Sequence, residues 1–197
     1  MLIEHRGSEP VIAASAFVAS TAVVSGAVTL GAGVRVLHGA VLSAEDGAIQ
    51  IDENSIIMEH ALVRGRAGHE VRIGHSVMVG PHAHINGAVV EDGAFIATGA
   101  SLFPGSIVGA GAEVRINAVV QVNTTIEPGA VVPIGWVAVG TPAQVFSPDR
   151  HDEIWAIQQT LNFVGTVYGI TPETSMRELM RQQSEYYGTH REDRAIE

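Results

Sequence analysis

Along most of this 197-residue chain an aliphatic residue returns every six positions. The series runs Ile12, Val18, Val24, Leu30, Val36 and Leu42, then resumes after a short insertion at Ile51, Ile57 and Val63. A longer insertion leads to Ile73, Val79 and Ile85; one step is a residue short, and the series then continues from Val90 through Ile96, Leu102, Val108, Val114, Val120 and Ile126 to Val132. Four places after most of these stands a small or modest residue, as at Ala22, Val34, Ala40, Ala61, Ala83, Ala100 and Ala118. The residue before it is often Gly or Asn, as at Gly33, Gly39, Gly99 and Asn117, types that tolerate the positive φ of a tight corner. A phase held this long implies a triangular prism in which each hexad supplies one flat side and one corner. Three hexads close a coil, and coils stack about 4.8 Å apart like neighbouring strands.

The expected fold is therefore an all-β solenoid, a left-handed parallel β-helix of about seven coils over residues 1–146, followed by C-terminal α-helices over 147–197 that pack on it. Grouping the hexads by three assigns the faces. The first holds positions 12, 30, 51, 73, 90, 108 and 126; the second 18, 36, 57, 79, 96, 114 and 132; the third 24, 42, 63, 85, 102 and 120. The insertions at 43–48 and 65–70 fall at corners, where loops can leave without breaking the stack. Past Phe146, Asp149 reads as a helix cap, and Ile154, Trp155, Ile157, Leu161, Val164 and Val167 recur at helical spacing until Thr171-Pro172. A more polar helix is expected over about 173–187, and the closing THREDRAIE reads as a frayed tail.

Composition narrows the chemistry. With no cysteine there is no disulfide, thiolate metal ligand or thiol nucleophile, so a metal would need His, Asp or Glu. The net charge is −10, and every basic residue is Arg, with no basic block; nucleic acid is not an expected partner. The opening MLIEHRGSEP has an early acid and no long apolar run, which points to a cytoplasmic protein with no membrane anchor.

Three stretches in the middle and one at the end of the solenoid resemble the γ-carbonic anhydrases and their relatives: GAVLSAEDGAIQI (39–51), NSIIMEHALVR (54–64), IGHSVMVGPHAHING (73–87) and VAVGTPAQV (137–145). The last is shared with hexapeptide acyltransferases. The resemblance spans roughly residues 10–165. It implies a homotrimer with zinc at each subunit interface, held by three His and left with an open position for a water that the metal acidifies for attack on carbon dioxide. Carried over residue by residue, however, the three ligand positions are Arg64, Pro81 and Asn86. The supporting positions have become Ser43, Glu45, Met58 and Glu59. Proline has no side-chain donor and Arg stays protonated, so the three-His zinc site is absent from its usual place.

Other histidines lie close by. His60 and His82 both stand three places after the second-face aliphatic residue, one coil apart, and His84 follows at the next corner. His38 shares a column with Glu59 and Pro81; His75 sits on the first face and His69 in the longer insertion. Three readings of the set stay open. His60, His82 and His84 would ligate zinc or another divalent metal at a displaced site. Alternatively a metal-free pocket would use Arg64 to bind a small anion, Asn86 to orient it, and His82 or Glu59 to move a proton. Or these groups would simply hydrogen-bond across a trimer interface. The matching functions are a diverged lyase or hydratase acting on a small anionic molecule, a non-catalytic trimeric scaffold, and a hexapeptide acyltransferase that takes acyl-CoA and uses His69 or His82 as base.

Overall fold

A computed structural model describes residues 1–196. Its parallel strands form the three faces that the hexad phase implies. The second face is a seven-stranded parallel sheet through 17–18, 35–36, 56–57, 78–79, 95–96, 113–114 and 131–132. The first stacks 11–12, 28–30, 49–51, 71–73, 89–90, 107–108 and 125–126, and the third stacks 23–26, 41–44, 62–65, 84–86, 101–102, 119–120 and 137–139. The hexad residues fill the axis: Val24, Val36, Leu42, Ile57, Val63, Ile73 and Ile85 are all wholly buried. Burying each such side chain stabilises by about 1.5–3 kcal/mol, and the identical phase in adjacent coils lets every one rest on another.

The insertions are more ordered than corner loops. Residues Val41–Ile51 form one continuous strand that carries the chain round the corner, pairing Ser43 with Arg64 and Ala44 with Gly65 on one side and Ile49 with Val71 on the other. This works because Gly47 and Gly65 let two backbones touch: a Cβ on Gly65 would lie 1.9 Å from the Gly47 carbonyl oxygen. The second insertion is a tight turn closed by two backbone hydrogen bonds between Arg66 and His69.

Both chain ends also depart from expectation. Leu2–Glu4 is a strand on the third face, with Leu2 in register with Val24, so the solenoid starts before the first hexad. The closing residues are not frayed: Arg194–Ile196 pairs antiparallel to Leu2–Glu4, giving the lowest coil an edge made of both termini. Between lie α1 (His151–Gln158), α2 (Phe163–Tyr168) and α3 (Met176–Gly188). The expected single helix before Thr171 is interrupted by Asn162, which takes a left-handed φ of 53°. Arg150 rather than Asp149 precedes α1, and Ser175 caps α3 by accepting from the Glu178 amide. Ile154 on α1 packs with Val139 and Phe146. Phe163 on α2 packs 5.6 Å from Phe103.

The three faces therefore meet different surroundings. The helices lie on the third. The first is open. The second presents Phe17, Met78, Phe95 and Val131, exposed by 49, 40, 37 and 45 %, in a column interrupted by Arg35 and Glu113. No helix among the described residues is long and apolar enough to cross a membrane.

The Gly47–Gly65 approach gives a direct test. Gly65→Ala is expected to destabilise by about 1–3 kcal/mol or more in urea unfolding, since backbone must move to admit the methyl group. Gly188→Ala meets open space at φ −61° and is expected to be neutral or slightly stabilising. Equal effects would refute the close-approach account.

Candidate functional site

His60 and His82 occupy the corner after the second face with φ of 58° and 57°, in the column that Gly39 and Gly99 fill in adjoining coils. Their rings stack at 5.2 Å, 8° from parallel. His60 lies over Gly39, where a Cβ would come within 2.4 Å of its Nδ1. His84 lies past the corner on the third face, edge-on to Phe103 at 6.2 Å. Within one chain, then, His60 and His82 come together and His84 does not join them. Glu59 is half-buried, and its carbonyl accepts from the His82 amide. His38 bonds Thr21 Oγ1 at 2.9 Å.

Of the three positions that the resemblance would make zinc ligands, Arg64 and Asn86 fall on the third face. Ser43, Arg64 and Asn86 are successive rungs of one ladder, and Asn86 is buried. Pro81 stands apart on the corner beside His82. The C-terminal helix reaches this ladder: the Arg64 guanidinium carbon lies 5.9 Å from the centre of the Tyr187 ring. Arg64 Nε, His84 Nε2 and Asn86 Oδ1 are all buried without a hydrogen-bond partner. Burial, then the charge of Arg64, pushes the His84 pKa down. Such a set of polar atoms suits a small anion or polar molecule better than an apolar one.

Below this ladder lies a cluster that sequence spacing did not reveal. Ser43 donates its hydroxyl to Glu45 Oε1 at 2.7 Å, and Glu45 Oε2 meets His190 Nε2 at 3.0 Å. His5 and Glu45 are buried, at 2 and 4 % exposure. His5 Nδ1 and His190 Nδ1 lie 2.6 and 2.8 Å from the two oxygens of Asp193. Burial opposes the charge on His190, but the Asp193 and Glu45 carboxylates outweigh it and raise its pKa. Nothing local could have signalled this group, because 145 residues separate Glu45 from His190 and it exists only through the pairing of the two termini.

His69 lines a fourth place, an open cleft of about 470 Å³ at the corner between the third and first faces. Its half-buried side chain lies across Gly87 and Gly105: a Cβ on Gly87 would come 2.7 Å from the His69 Cβ, and one on Gly105 would come 3.3 Å from its Cε1. Arg72, Glu70, Asp46 and Ser106 complete the wall. His75 faces the other end of the first face, its amide bonded to Asp92 Oδ1 at 2.8 Å.

The depressed His84 pKa has a signed consequence. As pH falls below about 6.5, the unfolded chain takes up a proton that folded His84 resists, so stability drops until the pH is below the folded pKa and then levels off. Urea unfolding is expected to show a larger loss between pH 7 and 5 in the wild type than in His84→Leu; a steeper loss in the variant would overturn this.

No protein-family model matches this sequence, and no curated protein matches it. Among solved structures, a Bacillus cereus protein described as a candidate acetyltransferase is 18 % identical, with 95 % of this chain and 94 % of that one covered and a TM-score of 0.57. A hexapeptide transferase family protein from Anaplasma phagocytophilum is 17 % identical over 95 % of this chain and 93 % of that one, with a TM-score of 0.37. The first of these establishes a shared hexapeptide-repeat, left-handed β-helix fold.

Proposed function

We propose that the chain is an acyltransferase that moves an acyl group from an acyl-CoA thioester to a small hydroxyl or amine acceptor, with His69 as general base. The observation that carries this reading is the His69 imidazole, half-buried in an open cleft with its side chain lying across Gly87 and Gly105. A neutral imidazole there takes the proton from the acceptor as its oxygen or nitrogen attacks the thioester carbonyl, and coenzyme A leaves as the thiol. Arg72 at the rim suits the phosphates of the nucleotide portion. The fold shared with the Bacillus cereus protein is compatible with this chemistry.

A second reading rests on a separate observation, the three unpartnered buried atoms of Arg64, His84 and Asn86. It makes the chain a diverged γ-carbonic anhydrase relative, a lyase or hydratase in which Arg64 binds a small anion and Asn86 orients it. In either case the active species is proposed to be a homotrimer, in which exposed apolar residues of the second face, Phe95 among them, pack against a different surface of the next subunit.

Acetyl-CoA is expected to raise the melting temperature of the wild-type protein. Thiol release with a panel of amine and hydroxyl acceptors should fall about 10²–10⁴-fold in His69→Ala without a change in melting temperature of the free protein. Absence of both the shift and turnover would reject acyl transfer; a shift produced instead by bicarbonate or acetate, and lost in Arg64→Gln, would favour the second reading. Phe95→Glu is expected to convert the trimer to monomer in light scattering, and a wild-type monomer would refute assembly through this face.

A further inference from the structure

The geometry points to a divalent-metal site of the zinc class built from His5 Nε2, Glu45 Oε2 and His190 Nε2, at the junction of the two chain ends. One donor atom from each of these residues lies within 4.8 Å of the other two, and they are the only such group of three His, Asp or Glu among the described residues. Glu45 Oε2 is 3.0 Å from His190 Nε2 and 3.9 Å from His5 Nε2. Donors about 2.1 Å from a tetrahedral zinc stand about 3.4 Å from each other, and the two spacings to Glu45 lie on either side of that value. The His5 and His190 rings stack at 4.4 Å, 20° from parallel, so one ring must turn for both nitrogens to meet a single ion.

Beside the distances, the hydrogen-bond pattern leaves a buried nitrogen, His5 Nε2, unanswered. One carboxylate, Asp193, meets the Nδ1 atoms of both imidazoles, one on each oxygen. An ionised carboxylate only accepts, so each ring donates its Nδ1 hydrogen to Asp193 and, when neutral, keeps a bare lone pair on Nε2. Both lone pairs then lie beside the Glu45 carboxylate oxygen. A proton on His190 Nε2 answers Glu45 alone and leaves His5 Nε2 buried without a partner, as it is in this structure. A dication answers all three and offsets the two negative charges of Glu45 and Asp193.

The surroundings match those of metal ligands. Histidine ligands characteristically donate their second nitrogen to a carboxylate, as both do here to Asp193, and the Ser43 hydroxyl holds the other oxygen of Glu45. Two nitrogens and one carboxylate oxygen suit zinc and its neighbours in the transition series rather than magnesium or calcium. Three protein ligands leave room for a water, and a cavity of about 320 Å³ opens beside His5 and Glu45. None of the three ligands lines the His69 cleft, which adjoins this cavity at Asp46 and Gly47, and the assignment does not depend on acyl transfer.

The test is to strip the full-length protein with chelator, dialyse it against zinc, and measure bound metal by elemental analysis, with cobalt substitution to read the ligand field. Wild type is expected to retain about one metal per chain and to give intense visible cobalt bands. The isosteric Glu45→Gln and the single change His190→Ala are expected to lose it; Asp193→Asn should weaken binding about 10–100-fold. His82→Ala should retain it. Circular dichroism of each metal-free variant checks that the fold survives. Wild-type protein that holds no stoichiometric metal, or full retention in folded Glu45→Gln, would overturn the assignment and leave the cluster as a proton-linked clamp. Loss in His82→Ala with retention in His190→Ala would overturn it too, placing the metal at the His60–His82 corner.

Discussion

Everything in this molecule hangs on the axial stack. One aliphatic side chain per hexad points inward and rests on its counterparts one coil above and below, so the core is a column of repeated contacts. A shift of one residue would turn that side chain outward and an exposed one inward, which is why the phase is held from Ile12 to Val132 through two insertions and one short step. The backbone is then fully committed to its ladders. What distinguishes one coil from another lies in the corners and the outward positions.

Those outward positions have been put to different uses on the three faces. On the second, exposed apolar residues alternate with the charged Arg35 and Glu113. On the third they are covered by the chain's own helices, which turns what would be open surface around Arg64, His84 and Asn86 into a buried polar lining. The first stays open, and its corner with the third carries the His69 cleft. A single repeated scaffold thus offers an exposed, partly apolar face, an enclosed polar seam and an accessible cleft without any change in its core.

The core and the faces were legible because they obey a short period. Even the corner places of His60 and His82 followed from counting, since each stands where neighbouring coils have glycine. The first insertion was read as a corner loop because it breaks the hexad phase, whereas Gly47 and Gly65 serve a close approach of two backbones. The C-terminal segment was misread because its polar sequence carries no periodic signal; its order comes from a strand partner almost two hundred residues away. For the same reason His5, His190 and Asp193 were invisible as a group. Their meeting depends on the path of α2 and α3 down the third face, which no local spacing encodes.

The pairing of Leu2–Glu4 with Arg194–Ile196 makes the chain a closed loop in all but covalent connection. Stacked-repeat proteins hold each coil mainly through its neighbours, so they ordinarily fray from an end inward. Here the lowest coil cannot peel away until the C-terminal strand lets go, and the upper end is folded over by the antiparallel strand Gln144–Phe146 and α1. Neither end is a free starting point for unravelling. Unfolding and proteolysis of a chain built this way should be governed by a single opening event at the terminal junction, which makes the least repetitive part of the molecule the guardian of its most repetitive part.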